Sequence, residues 1–312
     1  MDNSTASLYF NLTMFRTLDT YKYPVFVFFL LLYVFITFAN LILITVISQE
    51  KSLHEPMYIF IACLSFNALY GSAGFFPRFL MDLLSDTHLI SRPACFTQIY
   101  VIYSYASFEL TLLGIMAYDR YVAVCHPLHY HRKMQLKIVI VLALFAWLCP
   151  PCLIIPVIYL ATTLPLCGNK LHKVYCANWN IVKLSCISTA KNNISGMFVT
   201  IATVFCPLFF VLFTYFRIII ICWKKSSEFK GKVLQKCLPH IISFATYSIT
   251  AFCDIALSRY NPDEISPYLV IFLSLEFVVI PPILNPLVYG LKLPEIRRHV
   301  VRMLSKQTSH DY

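Results

Sequence analysis

Residues 116–130 read MAYDRYVAVCHPLHY. An apolar run long enough for a helix closes there on an adjacent acid and base, Asp119 and Arg120, with Cys125, His126 and Pro127 just beyond. A catalytic pair, a chance surface pair and a switch at a membrane edge all fit the fragment alone. The remainder of the chain decides among them.

The chain has 312 residues, of which 59% are hydrophobic and 13% charged, and its mean hydropathy is +0.69. Soluble domains carry about 25% charged residues, so lipid is the expected solvent. The 26 Phe and 20 Tyr suit helices packed in hydrocarbon and anchored at its interfaces. A net charge of +10 would suit nucleic acid. Here the basic residues lie between apolar runs instead of forming one patch, and no nucleic-acid partner is expected. Residues 1–23 lack the basic and apolar regions of a signal peptide. They hold two glycosylation sequons, at Asn3 and Asn11, which have meaning only if this end faces the lumen.

Seven apolar runs stand out, at about 24–48, 57–81, 96–122, 138–161, 195–222, 234–258 and 267–290. Each reaches or exceeds the roughly 20 residues that cross a bilayer as a helix. Their internal prolines would break soluble helices, but membrane bundles tolerate them as kinks. Seven spans place the termini on opposite sides. Of the 25 basic residues, 16 fall in one set of loops and the tail, and nine in the other set. The positive-inside rule then puts the C-terminus in the cytoplasm and the N-terminus outside. The expected organisation is an all-α, seven-transmembrane bundle over 24–290. An extracellular segment, 1–23, precedes it, and a cytoplasmic tail, 291–312, follows. Asp119 and Arg120 fall at the cytoplasmic edge. In the tail, Leu291–Leu304 mixes apolar residues with Lys292, Arg297, Arg298 and Arg302, a pattern that fits a short amphipathic helix on the inner leaflet.

Four of the twelve cysteines lie in outer segments: Cys95, Cys167, Cys176 and Cys186. Two disulfides fit an oxidising compartment, with three connectivities open. Cys95 and Arg120 are 25 residues apart, about 37 Å of helix, or one bilayer. One helix thus joins an outer cysteine to the inner ion pair.

At this point the motifs become specific. Asp119-Arg120-Tyr121, Trp147, Pro207 with Tyr215, and Pro282-Ile283-Leu284-Asn285-Pro286-Leu287-Val288-Tyr289 resemble the signatures of rhodopsin-like G-protein-coupled receptors. Leu53-His54-Glu55-Pro56-Met57-Tyr58, the string from Met116 to Cys125, and Lys236-Cys237-Leu238-Pro239-His240 resemble odorant receptors, with wording that leans to the fish-like, water-borne-odorant branch. The resemblance covers nearly the whole chain. It implies the pairings Cys95–Cys176 and Cys167–Cys186, a small-molecule odorant as ligand, a stimulatory olfactory-type G protein as partner, cyclic AMP production, and residence in the plasma membrane of olfactory neurons. It also implies that Asp119 restrains Arg120 at rest. On activation Arg120 is freed toward the G protein, with Tyr215 and Tyr289 as partners, while His240, Asn285, Pro286 and Tyr121 belong to the same switch region.

The chain departs from relatives in the second span. The second-span aspartate, 28 residues after the first-span asparagine, would fall at Ala68, beside Asn67. Glu109, about 16 Å deeper than Arg120 along the helix, is an intramembrane acid and so a functional residue by default. A buried polar cluster of Asn40, Asn67 and Glu109, joined by Asn285, is expected. Glu276 and Asp254 are further acids without an assigned role. Helical spacing, with the faces set by the resemblance, gives a ligand stripe of Ile102, Tyr103, Ala106 and Ser107 on the third span. The fifth span offers Val199, Thr200 and Thr203, and the sixth offers Ser248, Ala251, Phe252 and Ile255. Ser248 also sits where relatives often carry an aromatic switch residue, and a one-residue shift of the alignment would put Tyr247 there. Such a mix of apolar residues and hydroxyls suits a small-molecule cavity. No nucleophile–base pair, metal-ligand spacing or phosphate loop is present, so no cofactor and no enzymatic activity is expected. A transporter would show inverted repeats, and the two halves show none. A rhodopsin-like receptor for an endogenous, non-odorant ligand is the nearest competing reading.

Overall fold

The computed structural model describes residues 8–223, 225–259 and 266–308, with side chains to 303. Among the described residues, seven helices are long and apolar enough to cross a membrane: α1 (Lys22–Gln49), α2 (Pro56–Leu84), α3 (Arg92–Cys125), α4 (Leu136–Thr162), α5 (Ala190–Trp223), α6 (Ser227–Arg259) and α7 (Pro267–Lys292). An eighth helix, α8 (Pro294–Thr308), follows directly and packs on α1 and α7. It begins and ends a few residues later than the sequence pattern predicts, because α7 continues to Lys292.

Local chemistry sets several helix starts. Pro56 and Pro267 occupy first-turn positions of α2 and α7, where the missing N–H costs nothing. The Ser91 hydroxyl accepts the Ala94 N–H and caps α3. Within α5, Ile201–Phe205 forms a π-helical turn, immediately before Pro207.

The third span is the axis of the bundle. In its most apolar window 72% of residues are buried, against 22% for α1 and α4; α2, α4 and α5 all pack on it. The α2–α3 contact is closest at Gly71 and Gly74. A Cβ at Gly71 would lie 2.5 Å from the Tyr105 ring, and one at Gly74 would lie 2.3 Å from Val101 Cγ1. Small residues of this kind let membrane helices approach backbone to backbone.

At the end of the bundle that carries the disulfides, three short strands form a sheet absent from the sequence reading. β1 (Tyr9–Leu12) lies in the middle, antiparallel to β2 (Leu89–Ser91) and parallel to β3 (Lys170–Leu171). The register pairs Phe10 with Ile90 and Leu12 with Leu171. A 3-10 helix, Thr13–Tyr21, leads from β1 into α1. Beneath it Phe15, Phe29, Phe75 and Phe79 pack ring on ring at 4.9–5.6 Å. The segment 8–21 is therefore packed rather than a loose leader. Of the two sequons, Asn3 lies outside the described residues. Asn11 stands half-buried in the central strand with Oδ1 enclosed, not on an open loop.

Candidate functional site

The structure links Cys95 to Cys176 and Cys167 to Cys186. The first bond pins the long loop after α4 to the start of α3, where Gln98 Oε1 also accepts the Cys176 N–H at 3.0 Å. Held there, the loop closes one end of a cavity of about 150 Å3 among α3, α4, α5, α6 and α7. Tyr103, Ala106, Ser107, Val199, Thr200, Thr203, Ala251 and Ile255 line it.

Three expected lining residues fall elsewhere. Ile102 is fully buried in the apolar core, one 100° step round the helix from Tyr103. Phe252 is 67% exposed and turned outward, the step after Ala251. Ser248 is not on the wall, and its neighbour Tyr247 is.

The loop contributes wall residues that spacing could not reveal, among them Asn178 and Trp179; Asn192 and Asn193, at the start of α5, do the same. The Asn178 N–H donates to Tyr103 Oη at 3.1 Å. Arg259, at the end of α6, lies 4.0 Å from the Trp179 ring centroid and donates to Asn193 Oδ1 at 2.9 Å. Asp254 also lines the cavity. Its Oδ1 accepts both the Lys173 ammonium and the Tyr175 hydroxyl, the latter at 2.7 Å. Lys173, with a side chain only 1% exposed, is a loop lysine buried against an intramembrane acid. Burial and the neighbouring Asp254 carboxylate raise the Tyr175 phenol well above its ordinary range. Taking two charges out of water is costly unless they are paired and hydrogen-bonded, so the pair fixes where the loop sits over α6. Glu276 is half-buried on α7.

Deeper in the bundle, Glu109 is 1% exposed and bound from two sides. Asn67 Nδ2 donates to Oε2 at 2.7 Å, and Asn285 Nδ2 donates to Oε1 at 2.6 Å. Asn67 Nδ2 also reaches the Tyr105 carbonyl at 3.1 Å, which fixes the orientation of its amide. The expected cluster forms without Asn40. That side chain donates to the carbonyls of Ile36 at 2.8 Å and Pro282 at 3.0 Å. The reason lies in α7: Pro286 has no N–H to offer the carbonyl four residues earlier, and Asn40 supplies the missing donor from another span.

At the opposite end, Arg120 Nη2 lies 2.8 Å from Asp119 Oδ2. The contact is an ion pair without hydrogen-bond alignment, and Arg120 Nε is buried with no partner. The Tyr130 hydroxyl donates to Asp119 Oδ1 at 2.8 Å, a contact the sequence did not suggest. Burial, then the Asp119 carboxylate, raises the Tyr130 phenol above its usual range. Tyr121 turns away to His126, 3.3 Å from Nε2. Tyr215 Oη lies 2.6 Å from His240 Nδ1, and His240 Nε2 lies 2.8 Å from the Leu113 carbonyl. A carbonyl can only accept, so Nε2 carries a proton. In the neutral ring Nδ1 then accepts from Tyr215. His240 thereby ties α5 and α6 to α3. Tyr289 is fully buried. Among the described residues, no hydrogen bond joins Arg120 to Tyr215 or Tyr289.

Comparison with known proteins places these features in a group. A family model described as olfactory receptor matches residues 29–307. Human olfactory receptor 10A7 is 31% identical over 312 aligned residues, which cover 98% of this chain and 96% of that one. Human olfactory receptor 2A25 is 33% identical over 284 residues, 89% of this chain and 90% of its own. Among solved structures, the crystal structure of squid rhodopsin superposes with a TM-score of 0.77 over 92% of this chain and 86% of that one. At 16% identity that likeness speaks for the fold alone.

Proposed function

From the premise that the chain belongs to the olfactory receptor family, we propose how this odorant-binding, multi-pass plasma-membrane receptor works. The ligand sits in the cavity bounded by Tyr103, Ser107, Thr203, Tyr247 and Ala251. The N-terminus is extracellular, and the Arg120 end meets a heterotrimeric G protein of the stimulatory olfactory type, raising cyclic AMP in olfactory sensory neurons. One observation carries the reading: a cavity at one end and a half-buried arginine, ion-paired to its neighbouring acid, at the other are joined by the single helix α3.

In this scheme Asp119, steadied by Tyr130, holds Arg120 at rest. Ligand seated against Tyr247 and Ala251 shifts α6. That movement loads His240, whose bonds to Tyr215 and the Leu113 carbonyl join three spans. When they rearrange, Arg120 leaves Asp119 and becomes available to the G protein, with Tyr215 and Tyr289 as its new partners. Glu109 with Asn67 and Asn285 keeps α2, α3 and α7 in register during the change.

The test is a cyclic AMP reporter in cells, run against panels of water-borne and volatile odorants, with surface display measured in parallel. Arg120→Ala is expected to reach the surface and lose signalling. Full signalling from that variant would overturn the switch assignment, and activity confined to volatile odorants would remove the water-borne branch.

A further inference from the structure

A second hollow of about 460 Å3 lies between α3, α4 and α5, open to the outside of the bundle. Its floor is formed by Gly114, Pro150 and Thr203, all buried, and its mouth by Phe145, Cys206 and Phe210, all exposed. Both α4 and the lower half of α5 pack on α3 rather than on each other, which leaves the space between them unfilled. This hollow adjoins the ligand cavity. Thr203 lines both. On α3, Ser107 and Leu110 in the cavity are followed one turn on by Thr111 and Gly114 in the hollow. On α4, Ile154 gives way to Pro150. The junction falls at the π-helical turn Ile201–Phe205, where the backbone of α5 departs from regular packing.

The two spaces differ in chemistry. The cavity carries Asp254, Arg259 and several asparagines. The hollow has no charged residue, and its two threonine hydroxyls are committed to their own helix: Thr111 to the Ser107 carbonyl at 2.7 Å and Thr203 to the Val199 carbonyl at 2.9 Å. It therefore suits hydrocarbon and offers little to a hydrated molecule. Its mouth lies along spans that face the bilayer core, where an apolar odorant concentrates. The outer end of the cavity, by contrast, is covered by the disulfide-pinned loop and the Lys173–Asp254 pair.

We propose that this hollow is a lateral vestibule, through which uncharged, largely hydrocarbon ligands pass from the bilayer to the cavity at Thr203. The inference rests on the reading of the cavity as the odorant site. Gly114 keeps the passage open: a Cβ there would already meet Pro207 at 3.9 Å and Phe210 at 4.0 Å, so a longer side chain fills the space. Ala202 does the same nearer the mouth.

The experiment uses the purified full chain in lipid nanodiscs and a photoreactive diazirine analogue of octanol, with labelled peptides mapped by mass spectrometry. It does not depend on the probe being an agonist. Label is expected in 111–118, 142–153 and 202–210 well above that on the outward face of α1 at Phe28 and Leu31. In Gly114→Leu, and in Ala202→Leu as a second variant less exposed to folding failure, brief-pulse labelling of the cavity should fall several-fold. Labelling after long incubation should be unchanged. Equal pulse labelling in both variants would overturn the route and leave the cavity reading intact. A cavity that never labels would overturn both. A diazirine-bearing lipid chain that labels the hollow and resists displacement by excess octanol would make it a resident lipid site and overturn the vestibule.

Discussion

Glu109 takes one amide from α2 and one from α7. A carboxylate can accept both at once, because it is a pure acceptor with two oxygens. Glu109→Leu would leave one N–H on each of the two buried amides without its acceptor, at a cost of about 1–3 kcal/mol each, with Asn67 keeping its bond to the Tyr105 carbonyl. The expected result is a clear drop in melting temperature in detergent. Glu109→Gln should be milder: the Tyr105 carbonyl fixes Asn67, but Asn285 has no second partner and can turn its oxygen toward the new amide. An unchanged melting temperature in Glu109→Leu would mean that the two asparagines find other acceptors. This trio was legible in the sequence, since an acid inside a span is rare enough to demand partners. The role of Asn40 was not. It answers a backbone carbonyl stranded by Pro286, and such a vacancy shows only once two spans are side by side. Lys173 was hidden for a related reason. Nothing in an irregular loop marks which lysine will be folded beneath it.

At the scale of helices, hydropathy located all seven spans but not their ends. The predicted third span, 96–122, is a helix from Arg92 to Cys125, because the helix continues past the hydrocarbon where apolar patterning stops. The three-stranded sheet left no signal: its strands are two to four residues long and pair across most of the outer loops. Cavity-facing stripes were partly legible. Spacing of three and four identified one face each of α3, α5 and α6, but neighbouring positions 100° apart could not be separated, and Ile102, Ser248 and Phe252 fell off the wall. Packing between elements yields a firm expectation at Gly71. With 2.5 Å to Tyr105, a valine there must drive α2 from α3, an overpacking cost of about 1–3 kcal/mol or more. Gly71→Val should reach the cell surface poorly, and pairing it with Tyr105→Ala should restore part of the loss, read by surface immunostaining. No rescue by the second change would show that the glycine is needed for something other than room.

For the whole molecule, α3 is tied at one end by Cys95–Cys176 and carries the Asp119–Arg120 pair near the other. Cys95→Ser releases the loop that roofs the cavity, with a closed ring of 81 residues of sequence separation lost from the constraint on the unfolded chain. Loss of such a bond typically costs about 2–5 kcal/mol. Surface expression is expected to fall sharply, while Cys167→Ser, which closes a separation of only 19, should do less harm. Equal trafficking of Cys95→Ser and the parent chain would argue that the loop is held by the Lys173–Asp254 pair and the sheet alone.

The π-helical turn at Ile201–Phe205 bears on how this span tolerates change. A π turn carries one residue more than regular helix geometry needs. Were the turn to close into ordinary α winding with every residue kept, everything beyond it would rotate by about 100°. Val199 and Thr200 would keep their facing toward the cavity, but Tyr215 would swing away from His240. The two halves of the fifth span are thus phased independently. The turn is the indexing pin between them: a receptor could lose it, keep its taste in ligands, and fall silent.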